Sequence, residues 1–166
     1  MLDLSNQMFY EDIPIGYRGQ GLSRTLDFCD IINYANFTRD YNPIHTDKES
    51  SKHSLIGSVM GHGMIVTMIS SGMMLRTEFG TKTLKTLLDC LGNKEIKFLS
   101  PALVGDTITV QFEVVDKYEA DDTKGVVEIK FEASNQAGKT VQIHNRTYLV
   151  AKRNYNFEET AQRGHW

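Results

Sequence analysis

Residues 63–80 read GMIVTMISSGMMLRTEFG, and the fold turns on how this stretch is disposed. Apolar on nearly all sides until Arg76, it marks no face for solvent, so the helix it forms belongs inside a protein. Opened by Gly61-His62-Gly63 and ended by Gly80 as a left-handed cap, the helix is about 15 residues long, too short to cross a bilayer. Such a helix needs other structure wrapped around it.

The segments that follow supply the wrapping. Thr83 to Cys90, Lys94 to Leu99, Thr107 to Tyr118, Gly125 to Ser134 and Lys139 to Lys152 are strand-like and separated by turn signals. Ile108, Val110, Phe112 and Val114 alternate with Thr109, Gln111 and Glu113, and Val127, Ile129 and Phe131 with Glu128, Lys130 and Glu132. In the last segment Val141, Ile143, Thr147 and Leu149 interleave with polar neighbours. This predicts an antiparallel sheet of five or more strands with one wet face, wrapped around a long central apolar helix, in the α+β class.

Upstream, residues 8–26 predict a loop and one edge strand ending near Leu26. Phe28, Ile31, Ile32 and Ala35 then fall on one helical face, with Asp27 as cap and Asp30 at the third position, and this helix ends near Thr38. Asn42-Pro43 breaks it. Thr46-Asp47 caps a short polar turn over Lys48 to Lys52, and residues 54–61 form a loop.

Composition narrows the function classes. A chain of 166 residues with 40% hydrophobic content is expected to form one domain over residues 1–153, followed by a flexible tail over 154–166. Its 18 basic and 21 acidic residues form no long run of either sign, so neither nucleic acid nor a membrane surface is an expected partner. Cys29 and Cys90 stand alone, which excludes a thiolate metal site and fits reduced thiols in the cytoplasm. His53, His144 and His165 have no metal-ligand spacing, and no metal or redox cofactor is expected. The start, MLDLSNQMFYEDIP, carries neither the basic nor the apolar region of a secretion signal.

The chemistry-bearing stretch is Phe37 to Asp47, FTRDYNPIHTD, followed by Gly61-His62-Gly63-Met64. Taken singly, Asp40 is a turn or capping residue and His45 a satisfied histidine beside proline. Together they place a carboxylate and an imidazole five residues apart across a turn, just before a helix start that attracts anions.

This pairing resembles the MaoC-like dehydratases, the hot-dog family that includes the (R)-specific enoyl-CoA hydratases. The resemblance extends through FYEDIPIGYRGQGLSRTLDFCDIINYAN upstream and EIKFLSPALVGDTITVQFEVV downstream, nearly the whole chain. It implies a homodimer of hot-dog subunits that adds water to a trans-2-enoyl thioester to give a 3-hydroxyacyl thioester, and the reverse, in fatty acid metabolism. The acyl carrier, coenzyme A or acyl carrier protein, enters as part of the substrate. By the same resemblance Asp40 and His45 are the catalytic pair, the Gly63 N–H holds the thioester oxygen, and Ser71 lies near the substrate. Arg39 departs from the pattern, standing where a glycine often precedes the Asp. His62 is expected to shape the loop or hydrogen-bond the backbone, and Met60, Met64, Met68, Met73 and Met74 to fill the core or line an acyl tunnel.

Hydration of an enoyl thioester requires a base for the water, a proton for C2 and a donor for the charge that develops on the thioester oxygen. Asp40 and His45 gripping one water supply the first two, and a helix-start N–H supplies the third. Two rivals share the fold: a non-catalytic acyl-CoA-binding module, and a thioesterase. The first has no need of the Asp/His pair. The second usually carries a carboxylate on the long helix, where this chain has only Thr67, Ser70 and Ser71.

Overall fold

The computed structural model describes residues 3–158. A 3-10 turn at Tyr10–Asp12 leads into β1 (Arg18–Gln20) and β2 (Arg24–Thr25), two short strands that both pair antiparallel with β4 (Thr107–Glu119). Helix α1 (Phe28–Thr38) starts where the spacing predicts. Asp27 caps Cys29 N–H and Asp30 reaches back to the Asp27 N–H, a reciprocal capping box contributing about 1 kcal/mol. Its buried face, Ile31 and Ala35, packs into the core.

Two short helices follow, α2 (Pro43–Thr46) and α3 (Lys48–Lys52), then the central helix α4 (Gly63–Leu75) and α5 (Glu78–Thr83). Here the sequence expectation is corrected. The central helix ends at Leu75, and Gly80 is no cap: the Thr77 hydroxyl accepts the Gly80 N–H at 3.2 Å and starts a separate helix. Thr83 is the last helical residue of α5, so no strand begins there. Nor is α4 buried all round in the single chain. Ile65, Val66, Thr67, Ser70, Met73 and Met74 are buried, while Met68 is 55% exposed and Gly72 faces outward.

The two segments expected at 83–90 and 94–99 are one strand, β3 (Leu87–Phe98), interrupted by register shifts that a periodicity count reads as a break. With β4, β5 (Lys124–Ser134) and β6 (Thr140–Ala151) it makes four long strands, which the short β1 and β2 bring to a six-stranded antiparallel sheet in the order β1-β4-β5-β6-β3, with β2 also on β4.

On the face that carries the core, β4 and β5 present Val110, Phe112, Val114, Ile129, Phe131 and Ala133, all buried. Each such side chain contributes roughly 1.5–3 kcal/mol, Ala133 less. Across the same rows β6 contributes Gln142 beside Ala133, His144 beside Phe131 and Arg146 beside Ile129. The phase of β6 is therefore opposite to the sequence reading. The residues that meet α4 are Gln142, Arg146 and Tyr148, through hydrogen bonds to Thr67 and Ser71. Of the tail expected over 154–166, Asn154 is tied to the Asp122 carbonyl at 3.0 Å and Tyr155 N–H to the Lys152 carbonyl at 3.0 Å. Residues 159–166 lie outside the described residues.

Candidate active site

Helix α1 stops at Arg39, whose backbone turns left-handed (φ 66, ψ 15) while its N–H still bonds the Ala35 carbonyl. That turn throws Asp40 clear of the helix. The Asp40 side chain is half exposed, and its Oδ1 accepts the Asn42 N–H at 3.2 Å. Asn42 then caps α2 by accepting the Ile44 N–H, with Pro43 at the first helical position, where its missing N–H costs nothing. His45 follows two residues later and is buried.

The histidine tautomers follow from their partners. His45 Nδ1 lies 2.8 Å from the Met60 carbonyl, an acceptor only, so Nδ1 carries the hydrogen and Nε2 keeps a free lone pair. His62 Nε2 lies 2.9 Å from the Asp40 carbonyl and donates to it in the same way. The two imidazoles stack with centroids 3.9 Å apart, and Tyr34 of α1 packs against His62 at 4.8 Å. One ligand-type atom from each of Asp40, His45 and His62 falls within 4.8 Å of the others. Two histidines and a carboxylate are a metal-ligand inventory, but the rings stack with centroids 3.9 Å apart and planes inclined by 28°, and each already commits one nitrogen to a backbone carbonyl, so their remaining in-plane lone pairs lie side by side. A metal needs them to converge at about 2.0–2.1 Å, so the arrangement suits proton transfer better than chelation.

Gly63, the next residue after His62, is the first of α4. Its N–H has no acceptor one turn back within the helix, and His62 provides no side-chain cap. A side chain here would collide with the Phe98 ring: a Cβ would lie 2.8 Å from its Cε1. The helix start opens on a cleft of about 590 Å³ lined by Met60, His62, Gly63, Met64, Phe98 and Gln142 among others. A second hollow of about 510 Å³, over β1 and β4, is lined by Arg18, Glu113, Lys130 and Glu132 among others, and none of the Asp40 group reaches it.

The fold thus brings Asp40, His45 and the Gly63 helix start together, with His62 as the link. It does not bring Ser71 there within one chain. Ser71 lies two turns along α4, about 12 Å from Gly63, where its hydroxyl accepts from Arg146 and from Tyr148. His62 makes the backbone hydrogen bond that the sequence allowed it, to the Asp40 carbonyl, whereas Gln142 was given no part, although it lines the cleft and bonds the Gly63 carbonyl at 3.2 Å.

Residues 16–137 match the family described as "MaoC like domain". A solved structure described as a monoamine oxidase regulatory protein from Archaeoglobus fulgidus is 35% identical, with a TM-score of 0.84, covering 89% of this chain and 96% of that one. An (R)-specific enoyl-CoA hydratase from Rhodospirillum rubrum is 29% identical over 64% of this chain and 69% of its own length. A Mycobacterium tuberculosis protein described as a double hotdog fold is 12% identical, with a TM-score of 0.72 over 92% of this chain and 47% of that one, and fixes the fold alone. The chain has the hot-dog fold. No described helix is long and apolar enough to cross a membrane.

Proposed function

The chain belongs to the MaoC-like domain family, and on that premise we propose that it hydrates a trans-2-enoyl thioester to a 3-hydroxyacyl thioester and catalyses the reverse dehydration. The observation that carries this reading is the His45 ring. With Nδ1–H fixed on the Met60 carbonyl, its Nε2 is a base with nothing to do but accept a proton, and the Asp40 carboxylate lies within 4.8 Å of this histidine group.

In the proposed reaction Asp40 and His45 grip one water. Its oxygen bonds to C3 of the acyl group, one of its protons passes through the pair to C2, and the other stays on the new hydroxyl. Each of the two groups is worth about 10² to 10⁴ in rate. Between these events charge gathers on the thioester oxygen, where the Gly63 N–H and the positive end of α4 stabilise it by roughly 3 to 4 kcal/mol. Glycine at this position keeps space for the thioester that a side chain would contest with Phe98.

The carrier, coenzyme A or acyl carrier protein, belongs to the substrate, and the reaction requires no metal or redox cofactor. The working unit in this proposal is a homodimer, supported by the exposed apolar side chains of Met68 on α4 and of Leu91 and Phe98 on β3. A thioesterase reading is disfavoured because α4, GMIVTMISSGMML, carries no carboxylate. The test is mass spectrometry of a panel of enoyl-CoA thioesters incubated with the protein. Gain of one water by any of them supports the proposal, and an unchanged panel with a folded protein overturns it.

A further inference from the structure

On the sheet face that packs against α4, one strand departs from the chemistry of the core. Gln142, His144, Arg146 and Tyr148 occupy alternate positions of β6, and all four are buried, with His144 1% and Arg146 9% exposed. Their polar atoms are incompletely matched. Gln142 Oε1 and both ring nitrogens of His144 have no hydrogen-bond partner. The Arg146 guanidinium donates to Asn93 Oδ1 at 2.7 Å and to Ser71 Oγ, both neutral, and among the described residues it forms no ion pair. Arginine is rarely buried without an anion, and orphaned polar atoms in a core call for a partner or a role. Of the four, Gln142 and His144 carry orphaned atoms and Arg146 an unpaired charge, while the Tyr148 hydroxyl bonds Ser71 and its ring joins the core.

The row leads out of the candidate active site. Gln142 lines the cleft at Gly63, and Gln142 to Arg146 spans about 13 Å of strand, matching the roughly 12 Å from Gly63 to Ser71 along α4. The neighbouring walls are open in the single chain, on the side assigned above to the homodimer contact: Met68 and Gly72 on α4 and Asn93 on β3 are exposed, and a Cβ added at Gly72 would meet nothing within 4 Å. Met64 and Phe98 begin this strip at the cleft.

We propose that the strip between α4 and β3 takes the acyl part of the substrate, and that Arg146, with Ser71 and Tyr148, binds a carboxylate at the end remote from the thioester. The substrate class is then an ω-carboxyl enoyl thioester, a refinement that rests on the hydratase reading. A carboxylate there gives Arg146 the anion it lacks, and a charge-assisted bond of this kind is worth about tenfold or more in affinity. Arg146 serves as a specificity residue, distinct from the groups that move protons.

The experiment is calorimetric titration of the full chain with saturated acyl-CoA thioesters of increasing length, each compared as its methyl-terminated and carboxyl-terminated form. Because these probes are unreactive, the reading does not depend on turnover. The wild-type protein is expected to prefer the carboxyl form by about tenfold or more at one chain length, with the preference reduced in Arg146→Lys and lost in Arg146→Gln. Equal affinity for both forms at every length in the wild type overturns the proposal, even if the protein hydrates methyl-terminated enoyl-CoA. A preference that survives intact in a folded Arg146→Gln variant overturns it as well.

Discussion

His62 donates its Nε2 hydrogen to the backbone carbonyl of Asp40 at 2.9 Å, binding the start of the central helix to the loop that carries the carboxylate. The same ring stacks on His45 at 3.9 Å. A single side chain therefore sets the position of both proposed proton-handling groups. Replacing it with alanine removes the hydrogen bond and the stacking surface together. A misplacement of about 1 Å costs on the order of a hundredfold in rate. His62→Ala is expected to lower kcat by about that factor with KM little changed, and His62→Gln, which keeps a donor, to recover part of the loss. Equal kcat for wild type and His62→Ala would remove the positioning role.

At Gly63 the expected defect is steric. Alanine leaves the N–H in place but puts its Cβ against the Phe98 ring at 2.8 Å. Gly63→Ala should lower kcat/KM by tenfold or more, and Phe98→Ala in the same chain should restore part of it. If relieving Phe98 restores nothing, crowding at this ring is not the cause.

Arg39 carries strain that a glycine would not. A non-glycine residue in the left-handed region costs roughly 1–2 kcal/mol, offset by the greater entropy glycine loses on folding. Its φ of 66 is a conformation that glycine adopts freely. Arg39→Gly is expected to raise the urea midpoint by about 0.5–1 kcal/mol of stability at unchanged m-value, and a lowered midpoint would contradict the account.

His144 makes a prediction about pH. Burial, helped by the nearby Arg146 charge, lowers its pKa from 6.5 to about 4. The folded state therefore resists a proton that the unfolded chain accepts. Stability from this source is complete above pH 6.5 and falls as pH drops toward 4, by roughly 3 kcal/mol in all. Denaturation midpoints measured across that window should fall with acid in the wild type and show a shallower slope in His144→Leu. Parallel slopes would contradict this assignment.

Much of this architecture was legible in the sequence, for physical reasons that differ along the chain. The Asp27/Asp30 box and the Asp47 cap are local devices that made α1 and α3 legible without help from the fold, whereas Pro43–Thr46 was read as a turn and is the short helix α2. The alternation in β4 and β5 is clean because one face is apolar and the other wet. β6 was misread because its core face carries Gln142, His144 and Arg146, so the apolar Ile143 and Leu149 point the other way, while Val141 falls at a register shift and is buried in the core. Periodicity reports hydrophobicity, and here it does not report which face meets the helix. The joined β3 was hidden by its register shifts, and the end of α4 by Thr77, whose capping competes with Gly80. Asp40 and His45 were legible as a motif, whereas the part played by His62 needed three dimensions, since its partner is the carbonyl of a residue 22 positions away.

The central claim is that Asp40 and His45 together activate water for addition to an enoyl thioester. The most direct measurement follows the absorbance of the conjugated thioester of crotonyl-CoA, or of a longer enoyl-CoA if that is turned over faster. The wild type is compared with Asp40→Asn and His45→Gln at matched concentration and fold. The account predicts loss of absorbance with the wild type and a rate lower by about 10² to 10⁴ in each variant. Wild-type rates in either folded variant would contradict it.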